Sequence, residues 1–191
     1  MAVNDADKVQ ATEIVNDFLR YQLSRRGHQW NSCPALPRPS KVCLVLRTLG
    51  DEFLTKYRDE FTQMCARLEL TPSLAQAAFL GVLNELFSEG ITWSRIVGAF
   101  AFTTELSSHC IEKNWADLVD SIASWLASYV CTRLLPWIKD HQGWDGLVAF
   151  SEDRSGQPSE SPWPILKNVV CGVAVTALGA LTLGAILTSK S

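Results

Sequence analysis

The run Ile96-Val97-Gly98-Ala99-Phe100-Ala101-Phe102 contains no polar side chain. Wound into a helix, it has no face that water tolerates, so other helices or lipid must surround it. That demand fixes the architecture: a central apolar helix wrapped by amphipathic partners. The residues ahead of the run define how it starts. Ser88-Glu89-Gly90 reads as a turn closing the previous helix, with Gly90 suited to left-handed backbone just past a helix end. Thr92 is a good N-cap. Trp93 and Arg95 then fall in the first turn, where a cation opposes the helix macrodipole. Local helix stability does not explain Arg95. Either it is simply solvated at the end of a core helix, or it receives a carboxylate from a partner.

Apolar residues recur at helical spacing along nearly the whole chain, and no segment reads as strand. A first helix over 5–26 carries the stripe Ile14, Val15, Phe18 and Leu19, widened by Tyr21 and Leu23. Residues 27–40 hold three prolines and no periodicity, which marks a loop. Ser40 can cap a second helix, on which Val42, Leu46, Leu49 and Phe53 share one face. Phe61, Met64, Cys65 and Leu68 predict a short third helix. Thr71-Pro72 is a cap followed by a first-turn proline, and opens a fourth helix with Ala78, Phe79, Val82, Leu83 and Leu86 turned inward. The central helix runs to about His109. A sixth begins near Trp115 and carries Leu118, Ile122, Trp125, Leu126, Tyr129, Val130 and Leu134, until Pro136 kinks or ends it.

Four segments, in order over 12–150, resemble the homology motifs of the Bcl-2 family of apoptosis regulators. TEIVNDFLRYQLSRRGHQW resembles the fourth motif, typical of pro-survival members, through Ile14, Val15, Asp17, Phe18, Tyr21, Leu23, Gly27 and Trp30. LRTLGDEF resembles the third, the BH3 segment: Val42, Leu46, Leu49 and Phe53 are its anchors, Gly50 its small residue and Asp51 its acid. ELFSEGITWSRIV resembles the first, with Thr92-Trp93-Ser94-Arg95 where the family reads Asn-Trp-Gly-Arg. Pro136-Trp137-Ile138 and Gly143-Trp144-Asp145 resemble the second.

The resemblance implies an all-α, Bcl-2-like bundle of about eight helices around the central apolar one, with a C-terminal transmembrane tail. It implies a surface groove that accepts an amphipathic helix. Phe53, Tyr57, Phe61 and Met64 would line one wall, and Val82 and Leu86 the other. Val97, Gly98 and Phe102 would form the floor, Trp93 would brace one end, and Arg95 would meet the aspartate of an incoming BH3 helix. Thr92 and Ser94, which depart from the pattern, sit beside that contact. The function implied is pro-survival: sequestration of BH3-containing pro-apoptotic relatives, both effectors and BH3-only proteins, which prevents permeabilisation of the mitochondrial outer membrane. A pore-forming effector of the same family is the alternative. An unrelated membrane-inserting helical protein of toxin type is a third reading, opposed by the ordered set of four motifs.

Residues 1–151 are expected to form the helical domain, 152–163 a polar linker and 164–191 a tail anchor. Beyond Lys167 no charge occurs before Lys190. About 22 residues at about 1.5 Å each give about 33 Å, enough to cross a hydrocarbon core of about 30 Å. Trp163 and the flanking lysines fit a membrane span, although a helix buried within the protein would read similarly. Gly172, Thr176, Ala180 and Gly184 form a small-residue face that could meet another helix. Membrane lipid and a homodimer are thus further expected partners. The expected location is the mitochondrial outer membrane facing the cytosol, with endoplasmic reticulum membrane and cytosol as secondary sites. A net charge of -3 gives no support to a nucleic-acid role. Cys33, Cys43, Cys65, Cys110, Cys131 and Cys171 form no CxxC pair and read as small hydrophobes in a reducing compartment. His28, His109 and His141 match no metal-ligand spacing, His109 and Cys110 diverge on a helix, and no phosphate-binding loop appears. No enzyme, metal or cofactor is expected.

Overall fold

The computed structural model describes residues 3–68 and 70–155. Every regular element among them is helical. Helix α1 (Asp5–Arg25) opens on a reciprocal capping box: Asn4 Oδ1 accepts the Asp7 N–H at 2.8 Å, and Asp7 accepts the Asn4 N–H at 3.1 Å. Asp5 and Asp7 in its first turn and Arg25 in its last suit the macrodipole. Lys139 also hydrogen-bonds to Asp7 and holds that carboxyl below its ordinary range. The chain leaves α1 through Gly27, at φ 77°.

Helix α2 (Lys41–Arg67) starts where expected, with Ser40 Oγ accepting the Cys43 N–H at 3.3 Å. The third helix expected around Phe61, Met64, Cys65 and Leu68 is its second half, set off by a kink at Tyr57, whose backbone (φ -121°, ψ 15°) is not helical. Helix α3 (Ala75–Leu86) follows, but Thr71 does not cap it. Leu74 holds the cap position without a side-chain bond, and the Thr71 hydroxyl lies 3.1 Å from that of Ser73. Helix α4 (Trp93–Glu112) is the central helix, capped by Thr92 Oγ1, which accepts the Arg95 N–H at 3.2 Å.

Helix α5 (Leu118–Tyr129) runs into a π-helical stretch, Val130–Leu134, and then into α6 (Leu135–Asp140). Pro136 therefore ends the α register but not the rod. It sits in the first turn of α6, where its missing N–H costs nothing, and the π stretch just ahead absorbs the misfit. Helix α7 (Asp145–Ser155) closes the described fold and lies along α2, with ion pairs Lys41–Glu152 at 3.0 Å and Arg154–Glu52 at 3.2 Å. The described residues hold seven α-helices, eight if the two halves of α2 on either side of Tyr57 are counted apart, and the tail expected at 164–191 lies outside the described residues. No helix among the described residues is long and apolar enough to cross a membrane.

Helices α1, α2 and α5 enclose α4. Ile96, Val97, Ala99, Phe100 and Ala101 are wholly buried, as the absence of a polar face demands. The second half of α4 is different. Thr103, Thr104, Glu105, Ser107 and Ser108 are buried as well. Both threonine hydroxyls bond back to carbonyls one turn earlier. Glu105 pairs with Arg26, and Ser108 Oγ lies 2.9 Å from His28 Nε2. The end of α1 thus supplies the polar partners that the central helix needs. Of the cysteines, Cys43, Cys65 and Cys110 are buried as expected, whereas Cys33 and Cys131 are partly exposed and Cys171 lies outside the described residues. Burial raises the Cys110 thiol to about 11 and Cys65 further still, which keeps both inert.

The approach of α1 to α2 is closest at Gly50. A Cβ there would lie 2.4 and 2.5 Å from the Phe18 ring. Phe18 is 1% exposed and packs edge-on against Phe100, with centroids 5.4 Å apart, so its ring has little room to move. Gly50→Ala should therefore destabilise the fold by about 1–3 kcal/mol, the usual cost of overpacking. Phe18→Leu should recover part of that loss in the double variant, and strictly additive costs in urea unfolding would contradict a steric cause.

Candidate functional site

Arg95 stands at the head of α4 with its side chain 12% exposed. Its guanidinium turns away from the helix end and back over the preceding turn. Nη1 donates to the Gly90 carbonyl at 2.8 Å and Nη2 to Glu89 Oε2 at 3.1 Å. The left-handed backbone at Gly90 (φ 115°) aims both acceptors at it. Arg95 is thus neither bare nor simply solvated, and local partners offset the unfavourable dipole. Gly90 sits three residues beyond the C-cap of α3, Phe87, instead of directly past the helix end. Thr92 is exposed and serves as the cap, while Ser94 is buried on α4.

Trp93, expected to brace one end of a groove, is buried among aromatic rings. It meets Trp137 edge-on at 5.1 Å and Trp144 at 6.3 Å, and Trp137 stacks on His141 at 3.8 Å. This aromatic cluster joins the start of α4 to α6 and the start of α7, so the first and second motif-like segments form one structural unit.

The residues expected to line a groove are brought together. Aromatic rings form a connected series from α2 through α4 to α3 and α5. Phe53 lies 5.0 Å from Tyr57 and 5.5 Å from Phe61, Phe61 lies 6.4 Å from Phe102, and Phe79 stacks on Phe102 at 6.0 Å. Phe79 in turn meets Trp125 at 5.8 Å. Met64, Val82, Leu86 and Val97 belong to the same apolar cluster. Gly98 is buried beside them on α4. All are buried, so a helix that docks on them must displace what now covers them. Burial also pushes the Tyr57 hydroxyl above its ordinary value.

In the stretch resembling a BH3 segment, Val42, Leu46, Leu49 and Phe53 are core residues, while Arg47, Gly50 and Asp51 face α1. Asp51 accepts from Tyr21 Oη and Gln22 Nε2, both at 2.8 Å, and pairs with Arg25. One turn earlier, Arg47 makes a two-pronged bond to Asp17 at 3.0 and 2.6 Å, with its guanidinium over the Tyr21 ring. These partners were not identified from the sequence, nor was Glu89. Asp17, Tyr21, Gln22 and Arg25 follow one another at intervals of four, one and three along one face of α1, which is the signal that could have found them.

The family model of apoptosis regulator proteins, Bcl-2 family, matches residues 46–144. The chain is 31% identical to Bcl-2-like protein 1 of Gallus gallus, over 93% of this chain and 97% of that one. The chain belongs to the Bcl-2 family. It is also 39% identical to Bcl-2-like protein 1 of Rattus norvegicus, over 88% of this chain and 96% of the relative. Among solved Bcl-2 proteins, Trichoplax adhaerens trBcl-2L2 bound to trBak BH3 superposes with a TM-score of 0.70 at 32% identity, covering 75% of this chain and 97% of that one. The all-helical Bcl-2-like fold is therefore shared. The stretch that resembles a BH3 segment, 42–53, is tied to α1 through Arg47 and Asp51.

Proposed function

We propose that the chain is a pro-survival regulator that captures BH3 helices of pro-apoptotic relatives between α2, α3 and α4, and so keeps the mitochondrial outer membrane intact. The observation that carries this reading is the contrast between two charges. Asp51 of the chain's own BH3 segment is engaged by Tyr21, Gln22 and Arg25. Arg95, at the head of α4, has among the described residues an exposed carboxylate, Glu89, as its one ionic partner. A receptor needs the second and has no use for releasing the first. Similarity to Bcl-2-like protein 1 and to a Bcl-2 protein bound to a Bak BH3 supports the same assignment.

In this mechanism an incoming amphipathic helix parts the residues around Phe53, Tyr57, Phe61, Met64, Val82, Leu86, Val97, Gly98 and Phe102. It buries its own anchors there, each worth about 1.5–3 kcal/mol before ordering costs. Its acidic residue pairs with Arg95, which sets register more than net affinity. Residues 152–155 of the expected linker belong to α7, and the chain beyond it, with the tail at 164–191, anchors the domain on the cytosolic face of the membrane.

Dye-loaded vesicles test the proposal. With a pore-forming relative and an activating BH3 peptide present, added chain should suppress release in proportion to its amount, and alone it should release nothing. Vesicle flotation of the same samples should lift the full chain but not one ended at Ser161. Dye release by the chain alone on addition of the peptide would assign it to the effectors instead.

A further inference from the structure

We infer that Glu89 is a built-in competitor for Arg95, occupying the guanidinium until an acidic ligand residue replaces it. This rests on the BH3-receptor reading above and adds a determinant of affinity to the same site. Two neighbouring acceptors, the Gly90 carbonyl and the Glu89 carboxylate, take Nη1 and Nη2 of Arg95. With Nη1 held by the Gly90 carbonyl, a ligand carboxylate docking on that edge bonds through Nη2. That donor is already committed to a carboxylate, and a second carboxylate alongside would be repelled. Docking on that edge therefore displaces Glu89.

Exposure shows which partner gives way. The Arg95 side chain is 12% exposed and the Glu89 side chain 74%. Arg95, largely out of water, is costly to leave unpaired. Glu89 returns to solvent with little loss, because a pair with one exposed partner is weak. The Gly90 carbonyl stays in place throughout and keeps the guanidinium oriented. Capture of an acidic ligand is then an exchange of one ion pair for another. Exchange lowers the gain at Arg95 and makes that contact nearly indifferent to salt, since one pair breaks as one forms.

The test uses the full-length chain, a synthetic BH3 peptide with a central aspartate, and the same peptide with asparagine there. Glu89→Gln should tighten the aspartate peptide about two- to five-fold, the range expected for one weak pair. It should leave the asparagine peptide unchanged, and it should make aspartate-peptide binding fall more steeply with added salt. In an Arg95→Ala background Glu89→Gln should change nothing. Equal tightening of both peptides would reduce Glu89 to a general negative charge near the site and overturn the inference. So would no change for either peptide, or an unaltered salt dependence. A wild-type chain that binds neither peptide would overturn the receptor reading itself, and this inference with it.

Discussion

Arg95→Ala is expected to weaken BH3 binding by about ten- to a hundred-fold and to abolish protection, while helical content stays unchanged. Removing one member of a buried, hydrogen-bonded charge pair costs about 2–5 kcal/mol, much of it from stranding the other charge. At about 1.4 kcal/mol per decade, the upper part of that range would reach thousands of fold. The lower part applies here, because the free chain already spends Arg95 on Glu89 and binding only exchanges partners. The fold should survive, since the Thr92 cap and the Trp93 cluster hold the start of α4 without the guanidinium. Asp51→Ala should behave in the opposite way. It strands the Gln22 amide, which is 4% exposed, and should cost about 1–3 kcal/mol of stability. Protection should persist, because a receptor does not insert its own BH3 segment elsewhere. The readouts are peptide titration, urea unfolding and cell survival. Loss of protection in Asp51→Ala, with Arg95→Ala still protective, would reverse the assignment.

What the sequence made legible were features that act over a few residues. The Ser40 and Thr92 caps form as read, because a cap needs only a hydroxyl and an N–H three residues on. The apolar run at 96–102 is central, because no other placement tolerates it. Its first-motif neighbours singled out Arg95, which the structure places against Gly90 and Glu89. The two halves of α2 were legible as separate apolar stripes, but not that a single non-helical residue, Tyr57, joins them without a loop, since one such residue leaves the apolar periodicity nearly intact. Nor was the π stretch at 130–134, where one extra residue per turn is absorbed without any composition signal. The hidden part of the site is a matter of folded geometry. Glu89 precedes Arg95 by six residues, and only the left-handed turn at Gly90 brings the two together. Asp51 and its partners on α1 are separated by 26 residues or more, a distance over which periodicity carries no information.

The same blindness hid the pair expected to matter most for stability. Glu105 sits in the central helix with its side chain 6% exposed, and Arg26, at the end of α1, is 11% exposed where it meets that carboxylate. The helix that seemed to need only apolar neighbours therefore carries a buried charge one turn past Phe102. Arg26→Met should cost about 3–5 kcal/mol, because it leaves a carboxylate that is 6% exposed without its ion-pair partner. Against a typical total of about 5–15 kcal/mol, this is a large fraction of the stability of the domain. Glu105→Gln should cost less: the arginine stem is long enough to carry its head toward water, whereas a carboxylate fixed on the core helix cannot follow. Replacing both, as Arg26→Met with Glu105→Leu, should recover most of the loss, since an apolar pair avoids the desolvation that the ion pair must overcome. His28 against Ser108 would remain as the polar tie between the two helices. Urea unfolding of the four proteins settles it. A loss below about 1 kcal/mol in Arg26→Met, or a double variant no more stable than that single one, would mean that water reaches Glu105 and that the pair does not hold α1 to the core.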